Sequence, residues 1–83
     1  MRFIWDEENR SHLARHGVDP DTAECIFTAA DRLLFAVDDD PGHFIAEGTV
    51  QGKTYQLVYA LSGPDLVYPI TAFRIAHKRR RKP

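Results

Sequence analysis

The chain of 83 residues has one cysteine, one methionine and one tryptophan. The lone Cys25 excludes an intrachain disulfide and fits a reducing compartment such as the cytoplasm. No apolar run approaches the roughly 18 residues of a membrane span, and the first residues do not resemble a signal peptide, so no membrane partner is expected. The remaining composition, 43% hydrophobic and 28% charged, is ordinary for a globular protein. At this length we expect a single domain over residues 1–83.

Charge is distributed unevenly along the chain. Five of the eleven Lys and Arg residues lie together at 78–82, so residues 1–77 hold six basic side chains against twelve acidic ones. A localised basic run indicates binding to phosphate or to an acidic protein surface. The other interpretation of the same run is a solvated tail.

Residues 5–18 predict a short helix with an unusual inner side. Asp6 is a favourable N-cap, and Gly17 suits the position just after a helix. At helical spacing, the side that we expect to face the interior carries Asn9, His12, Leu13 and His16. Only Leu13 in that set is apolar, so this helix is the first place to look for function.

The rest of the chain predicts an α+β fold. Asp19 and Pro20 start a second helix, with its apolar face at Ala23, Ile26, Phe27 and Ala30 and with Cys25 as a small packing residue on its flank. A period of two then predicts strands over 32–37, 43–50, 54–61 and 66–73. Pro69 lies inside the last of these, at a bulge or an edge. We therefore expect a short first strand, two N-terminal helices packed on a four-stranded antiparallel meander, and a basic C-terminal helix or tail.

His12 and His16 allow three interpretations. Two imidazoles four residues apart could be two ligands of a zinc-like site, with the third ligand from His43, His77 or the Asp38–Asp40 cluster, although that cluster is explained as a turn. They could instead move protons near neutral pH. A histidine near a helix end can also simply bond carbonyl groups.

Metal-free RNA cleavage needs a base, an acid and cations around the phosphate. His, Arg, Lys and Tyr are the residue types for that work, and Arg15 and Arg74 supply cations near the two histidines and after the last strand. Tyr55 and Tyr59 share one face of a predicted strand. Tyrosines at such positions more often pack in the core or on the sheet surface than stack on bases.

Two stretches resemble the BrnT-type toxin family. Trp5-Asp6, Asn9 and residues 12–18 (HLARHGV) resemble its N-terminal signature, and residues 68–74 (YPITAFR) with the basic residues after them resemble its last strand and C-terminal segment. The resemblance extends over essentially the whole chain. It implies a small RelE-like α+β fold, a metal-independent ribonuclease that blocks translation and uses no cofactor, and a cognate antitoxin that joins it in a cytoplasmic complex of paired dimers.

Two positions depart from the family pattern. Phe73 stands where many members have an Arg after the Ser/Thr-Ala pair, and Arg79 stands where many have a Glu. Arg74 follows one residue later, and a slip of one residue in a strand turns a side chain to the other face.

The predicted function is therefore the RNA-cleaving toxin of a type II toxin–antitoxin pair. The alternatives are a non-enzymatic module that docks a protein or nucleic acid, and a metal-dependent hydrolase built on the histidine pair. The predicted catalytic residues are His12, His16, Arg15 and Arg74, and the predicted RNA-binding residues are Lys78, Arg79, Arg80, Arg81 and His43.

Overall fold

The computed structural model describes residues 1–35 and 42–75, with only the backbone of residues 32–35. In chain order its elements are β1 Arg2–Phe3, α1 Glu7–Ala14, α2 Pro20–Ala29, β2 Arg32–Phe35, β3 His43–Val50, β4 Lys53–Gly63 and β5 Leu66–Arg74. The predicted α+β fold and the antiparallel meander, formed by β2 to β5, are confirmed. The short first strand β1 joins the sheet as a fifth strand, parallel to β5. The C-terminal helix or tail predicted from Ile75 to Lys82 lies, apart from Ile75, outside the described residues. Neither α1 nor α2 has the length and apolar character that crossing a membrane requires.

The core lies between the helices and one face of the sheet. Leu13, Val18, Ala23 and Ile26 on the helical side meet Ala46, Leu57, Tyr59, Val67 and Ala72 on the sheet, and all nine are buried. Phe27 and Ala30 pack against this cluster, which confirms the predicted apolar face of α2. Cys25 is exposed, so the prediction that it packs was wrong; it lines a depression between α2 and the end of β3 with Thr49 and Val50.

The helix α2 lies very close to β3 at Gly48. A Cβ atom added to Gly48 would stand 2.6 Å from the Ile26 carbonyl oxygen and 3.1 Å from the Ala30 nitrogen. These are backbone atoms, so no side-chain rotation could relieve the clash. The absence of a side chain at this position therefore sets how closely α2 seats on the sheet.

Asn9 is the one polar residue in the described chain that is buried, at 2% exposure. Its backbone N–H donates to Asp6 Oδ1 at 2.8 Å, and its own Oδ1 accepts from the Asp6 N–H at 2.9 Å, which completes a capping box. Its Nδ2 donates to the Ile4 carbonyl at 2.9 Å and to the Pro69 carbonyl at 3.0 Å. One amide therefore joins the start of α1, the end of β1 and the middle of β5.

The bulge predicted at Pro69 is present. Tyr59 of β4 pairs with Pro69, whereas the preceding Val58 pairs with Thr71, so Ile70 is the extra residue. β1 pairs with β5 only at Leu66 and Val67, which leaves the Pro69 carbonyl for Asn9. As a result, α1 lies along the part of the β5 edge that β1 does not cover.

Replacing Asn9 with alanine should lower the free energy of unfolding by about 3 kcal/mol, because the buried Pro69 carbonyl and the partly buried Ile4 carbonyl lose their donor. Urea unfolding measures the loss. Arg10→Ala is the matched control, since Arg10 is an exposed neighbour on the same helix, and its effect should stay within about 0.5 kcal/mol. Equal losses in the two variants would contradict the role given to the amide.

Gly48→Ala should lower the free energy of unfolding by about 2 kcal/mol, because α2 must move away from β3 to admit the methyl group. Gly63→Ala is the control: its Cβ would meet only the Leu66 side chain, at 3.4 Å, and should change stability by less than about 1 kcal/mol. Thermal unfolding of the two variants side by side is the measurement. A Gly48→Ala protein as stable as the Gly63→Ala protein would show that the close approach is not a constraint.

Candidate functional site

The polar residues predicted on the inner side of α1 divide between the core and solvent. Asn9 and Leu13 are buried, but His12 and His16 are exposed, so the prediction that both imidazoles face the interior was wrong. The physical reason is that α1 lies along a strand edge, where only a narrow stripe of a helix is covered. Arg15 is exposed as well, so all three predicted residues of this segment are open to solvent.

The predicted helix ending explains the position of His16. Gly17 has a φ of +72° and donates to the Ala14 carbonyl at 3.0 Å, while the Val18 N–H donates to the Leu13 carbonyl at 3.0 Å. These two bonds form a Schellman motif, which glycine favours. His16 therefore belongs to the turn after α1 rather than to a continuous helical face with His12.

His12 lies between carboxylates and the edge of the sheet. With Asp6, Glu7, Glu8, Ser11 and Arg15 it lines one shallow depression. It also lines a second, smaller one together with Glu8, Asn9, Tyr68 and Ile70. This imidazole is thus accessible, with three acidic side chains on one side and a tyrosine on the other.

His16 lies against the last strand. Its ring and that of Phe73 are 6.3 Å apart between centroids and tilted by 59°. Phe73 pairs with Gln56, which puts it on the sheet face opposite α2, while Arg74 pairs with Tyr55 on the face of the core. The residue after Thr71-Ala72 that meets His16 is therefore the phenylalanine, and the predicted slip turns the exposed Arg74 to the other face.

The remaining predicted residues are separated from the histidines or undescribed. His43 opens β3 and pairs with Ala60, four positions along β4 from Gln56, so about 13 Å lies between the two rows. The predicted RNA-binding residues Lys78, Arg79, Arg80 and Arg81 lie outside the described residues. The structure therefore places His12 and Arg15 on one depression, and His16 beside Phe73.

Tyr55 and Tyr59 belong to the helix-covered face. Tyr59 is 5% exposed, and its ring meets Phe27 edge-on at 5.2 Å and Phe44 at 5.7 Å. Burial raises the pKa of the Tyr59 hydroxyl. Tyr55 packs against the same cluster. Core packing, the commoner role for such residues, is the one found here.

The zinc-like arrangement cannot be assembled from the described residues. Within residues 1–35 and 42–75 no three His, Cys, Asp or Glu side chains come together as metal ligands. Two of the proposed third ligands, His77 and the Asp38–Asp40 cluster, lie outside that part of the chain.

Sequence reasoning missed Tyr68 as a neighbour of α1. Its hydroxyl donates to Asp6 Oδ2 at 2.9 Å. The pKa of Asp6 is lowered, first by the hydrogen bond from the Asn9 backbone N–H and then by Tyr68, and the pKa of Tyr68 is raised by its bond to Asp6. The sequence predicted Asp6 as an N-cap, but it could not predict that the second carboxylate oxygen of Asp6 accepts a bond from a residue 62 positions away.

The comparisons with known proteins identify the fold. No protein-family model and no curated protein matches the chain. A solved structure does match: the crystal structure of the Brucella abortus ribonuclease toxin BrnT, at 22% sequence identity, with 93% of this chain and 99% of that chain covered and a TM-score of 0.74. The chain therefore has the BrnT fold, as the resemblance of its two terminal stretches implied.

Acid should weaken the fold through Asp6. Because the folded pKa of Asp6 is lowered from its ordinary 3.8, the carboxylate stabilises the protein above that pH, and this stabilisation is lost as pH falls through the lowered pKa. Asp6→Asn keeps a capping side chain without the charge. The difference in unfolding free energy between wild type and Asp6→Asn should therefore shrink as pH falls from about 6 to about 2.

Urea unfolding across that pH range gives the difference curve. The pKa of Asp19 is also lowered, mainly by its bond to Thr22, but Asp19 is unchanged in both proteins and cancels in the difference. A difference that does not vary with pH would contradict the charge-assisted cap at Asp6.

Proposed function

We propose that this chain is the toxin of a type II toxin–antitoxin pair and that it cleaves RNA without a metal ion or other cofactor, which blocks translation in the cytoplasm. The observation that carries the proposal is the likeness to a ribonuclease toxin over 93% of this chain, with a TM-score of 0.74. The exposed His12 on α1, with Arg15 and His16 in the turn that follows it, are the residue types that such a reaction requires.

The proposed reaction uses two imidazoles, one as the base and one as the acid. One imidazole accepts the proton of a ribose 2′-hydroxyl, the 2′-oxygen bonds to the adjacent phosphorus, and the bond from phosphorus to the 5′-oxygen breaks. A second imidazole, protonated, donates its proton to that leaving 5′-oxygen. The products are a 2′,3′-cyclic phosphate and a 5′-hydroxyl. His12 and His16 are the proposed pair.

Cations stabilise the charge that builds on the phosphate during this step. Arg15 comes three residues after His12 and lines the same depression, so its guanidinium suits that role. Arg74, at the end of β5 on the other face, is proposed to bind the RNA backbone at a distance from the reacting phosphate. Lys78, Arg79, Arg80 and Arg81 are proposed to extend this contact, and His43 is a further candidate at the start of β3.

The antitoxin is proposed to be an acidic protein that covers the basic residues and keeps RNA away. Residues 78–82 hold five of the eleven basic side chains, so a negative surface there neutralises much of the attraction for phosphate. We propose a hetero-oligomer of toxin and antitoxin, with a homodimeric toxin core as one form of it.

One observation favours a second candidate, a toxin-like module that binds without cleaving. Phe73 occupies the strand position that meets His16, and the cation one residue later is turned to the core face. A phosphate next to His16 would therefore have an aromatic ring, not a guanidinium, on its β5 side. Loss of that cation would remove electrostatic stabilisation of the transition state while leaving binding in place.

Replacing both histidines decides between the two candidates. Wild type and the His12→Ala/His16→Ala variant are induced in cells without antitoxin, and growth and total RNA are followed. We expect wild type to arrest growth and fragment RNA, and the variant to do neither, because removing the proton-transfer groups slows cleavage by at least about 100-fold.

The matched control is Arg10→Ala, at an exposed position on the same helix that lies outside the depression lined by His12 and Arg15. Growth arrest with intact RNA in wild type would favour the binding module. RNA cleavage by the purified protein that stops with a chelator and returns with zinc would favour the metal-dependent hydrolase. Either result would overturn the metal-free mechanism.

A further inference from the structure

Four side chains form a line across the sheet face opposite α2, from β3 to the turn after α1. Strand register pairs Glu47 with Gln56 and Gln56 with Phe73, so the three project on the same face. Gln56 Nε2 donates to Glu47 Oε1 at 3.0 Å, and the His16 ring lies 6.3 Å from that of Phe73. We call Glu47, Gln56, Phe73 and His16 the Glu47 row.

A cross-strand pair on its own would account for the bond between Gln56 and Glu47. It does not account for a half-buried aromatic ring in the same line, next to a candidate catalytic histidine. Proteins recognise single-stranded RNA by stacking bases on aromatic rings and bonding the base edges with polar side chains. Ring, amide and carboxylate together provide both kinds of contact.

The carboxylate narrows the choice of base. An ionised carboxylate only accepts hydrogen bonds, so it suits a base edge with two neighbouring donors. Guanine has that edge in its N1–H and its 2-amino group. Adenine and cytosine put an acceptor nitrogen beside their amino group, and uracil flanks its single N–H with two carbonyl oxygens, so each would meet the carboxylate with a repulsive contact.

The spacing of the row suits one base. Neighbouring strands are about 4.8 Å apart, so the backbones at Glu47 and Phe73 are about 10 Å apart. That distance holds one nucleobase, with its ring against Phe73 and its donor edge toward Glu47, passing over Gln56. The Gln56 amide has a second N–H and an oxygen besides the N–H that bonds Glu47, and these can bond a base that passes over it.

We propose that the Glu47 row is a guanine-binding subsite for single-stranded RNA, which rests on the proposed function in taking RNA as the substrate. The ribose and phosphate of the held nucleotide then lie toward His16, at the end of the row. Binding of guanine in the subsite would thus determine which phosphate of the RNA lies next to His16.

The test is binding of the purified 83-residue chain to short fluorescent oligonucleotides, measured by anisotropy. The probes are uridine pentamers with guanine, inosine or adenine at the centre, 2′-O-methylated throughout so that no 2′-hydroxyl can react. Inosine lacks only the 2-amino group of guanine. We expect the guanine probe to bind roughly 10-fold more tightly than the inosine probe.

Two variants assign that preference to the row. Glu47→Gln should bind guanine and inosine probes with equal affinity, and Phe73→Leu should weaken binding of every probe roughly 10-fold by removing the stacking ring. Ile45→Val, one row away on the same face, is the matched control and should keep the wild-type preference. Thermal unfolding verifies that each variant is folded.

Equal binding of all three probes by wild type, or no binding at all, overturns the subsite without recourse to any variant. A guanine preference that survives Glu47→Gln in a folded protein overturns it too. Cleavage of an unmethylated guanine probe is followed separately. A guanine preference without cleavage supports the subsite and contradicts the proposed function, while cleavage without any base preference does the reverse.

Discussion

The side-chain amide of Asn9 is the constraint on which the arrangement of this small fold depends. Pro69 has no N–H, and β1 does not extend along β5 as far as Pro69, so the carbonyl of Pro69 needs a donor from elsewhere. Asn9 provides one of its two amide hydrogens to Pro69 and the other to Ile4. Because leaving a buried carbonyl unpaired is costly, α1 must lie where this amide reaches both.

The position of α1 decides what its polar residues can do. A helix laid on the middle of a sheet covers a wide stripe, whereas α1 lies along an edge and buries little more than Asn9 and Leu13. His12, Arg15 and His16 are therefore exposed beside β5 and next to the uncovered face of the sheet. The same hydrogen bonds that fix α1 at the edge of β5 thus leave two imidazoles and a guanidinium exposed to solvent.

Local sequence signals predicted the elements well, because each depends on neighbours in the chain. Asp6, Gly17 and the Asp19-Pro20 pair begin or end their helices as expected. The direction in which α1 faces was not predictable, since helical spacing tells which residues share a side but not which side is covered. The inward orientation of Asn9 depends on its bond to the Pro69 carbonyl, 60 residues away. The cross-strand partner of Phe73 depends on the extra residue at the bulge.

The charges around the two histidines give them unequal surroundings. His12 shares its depression with the carboxylates of Asp6, Glu7 and Glu8, and a phosphate that approaches it meets their combined repulsion. His16 lies past the end of α1, more than two helical turns from those carboxylates, and its ring contacts the uncharged Phe73. Salt screens interactions beyond about 8 Å at physiological ionic strength, so the acidic cluster acts mainly on His12. Under the proposed function, RNA would therefore approach from the Phe73 side, with its phosphate nearest His16.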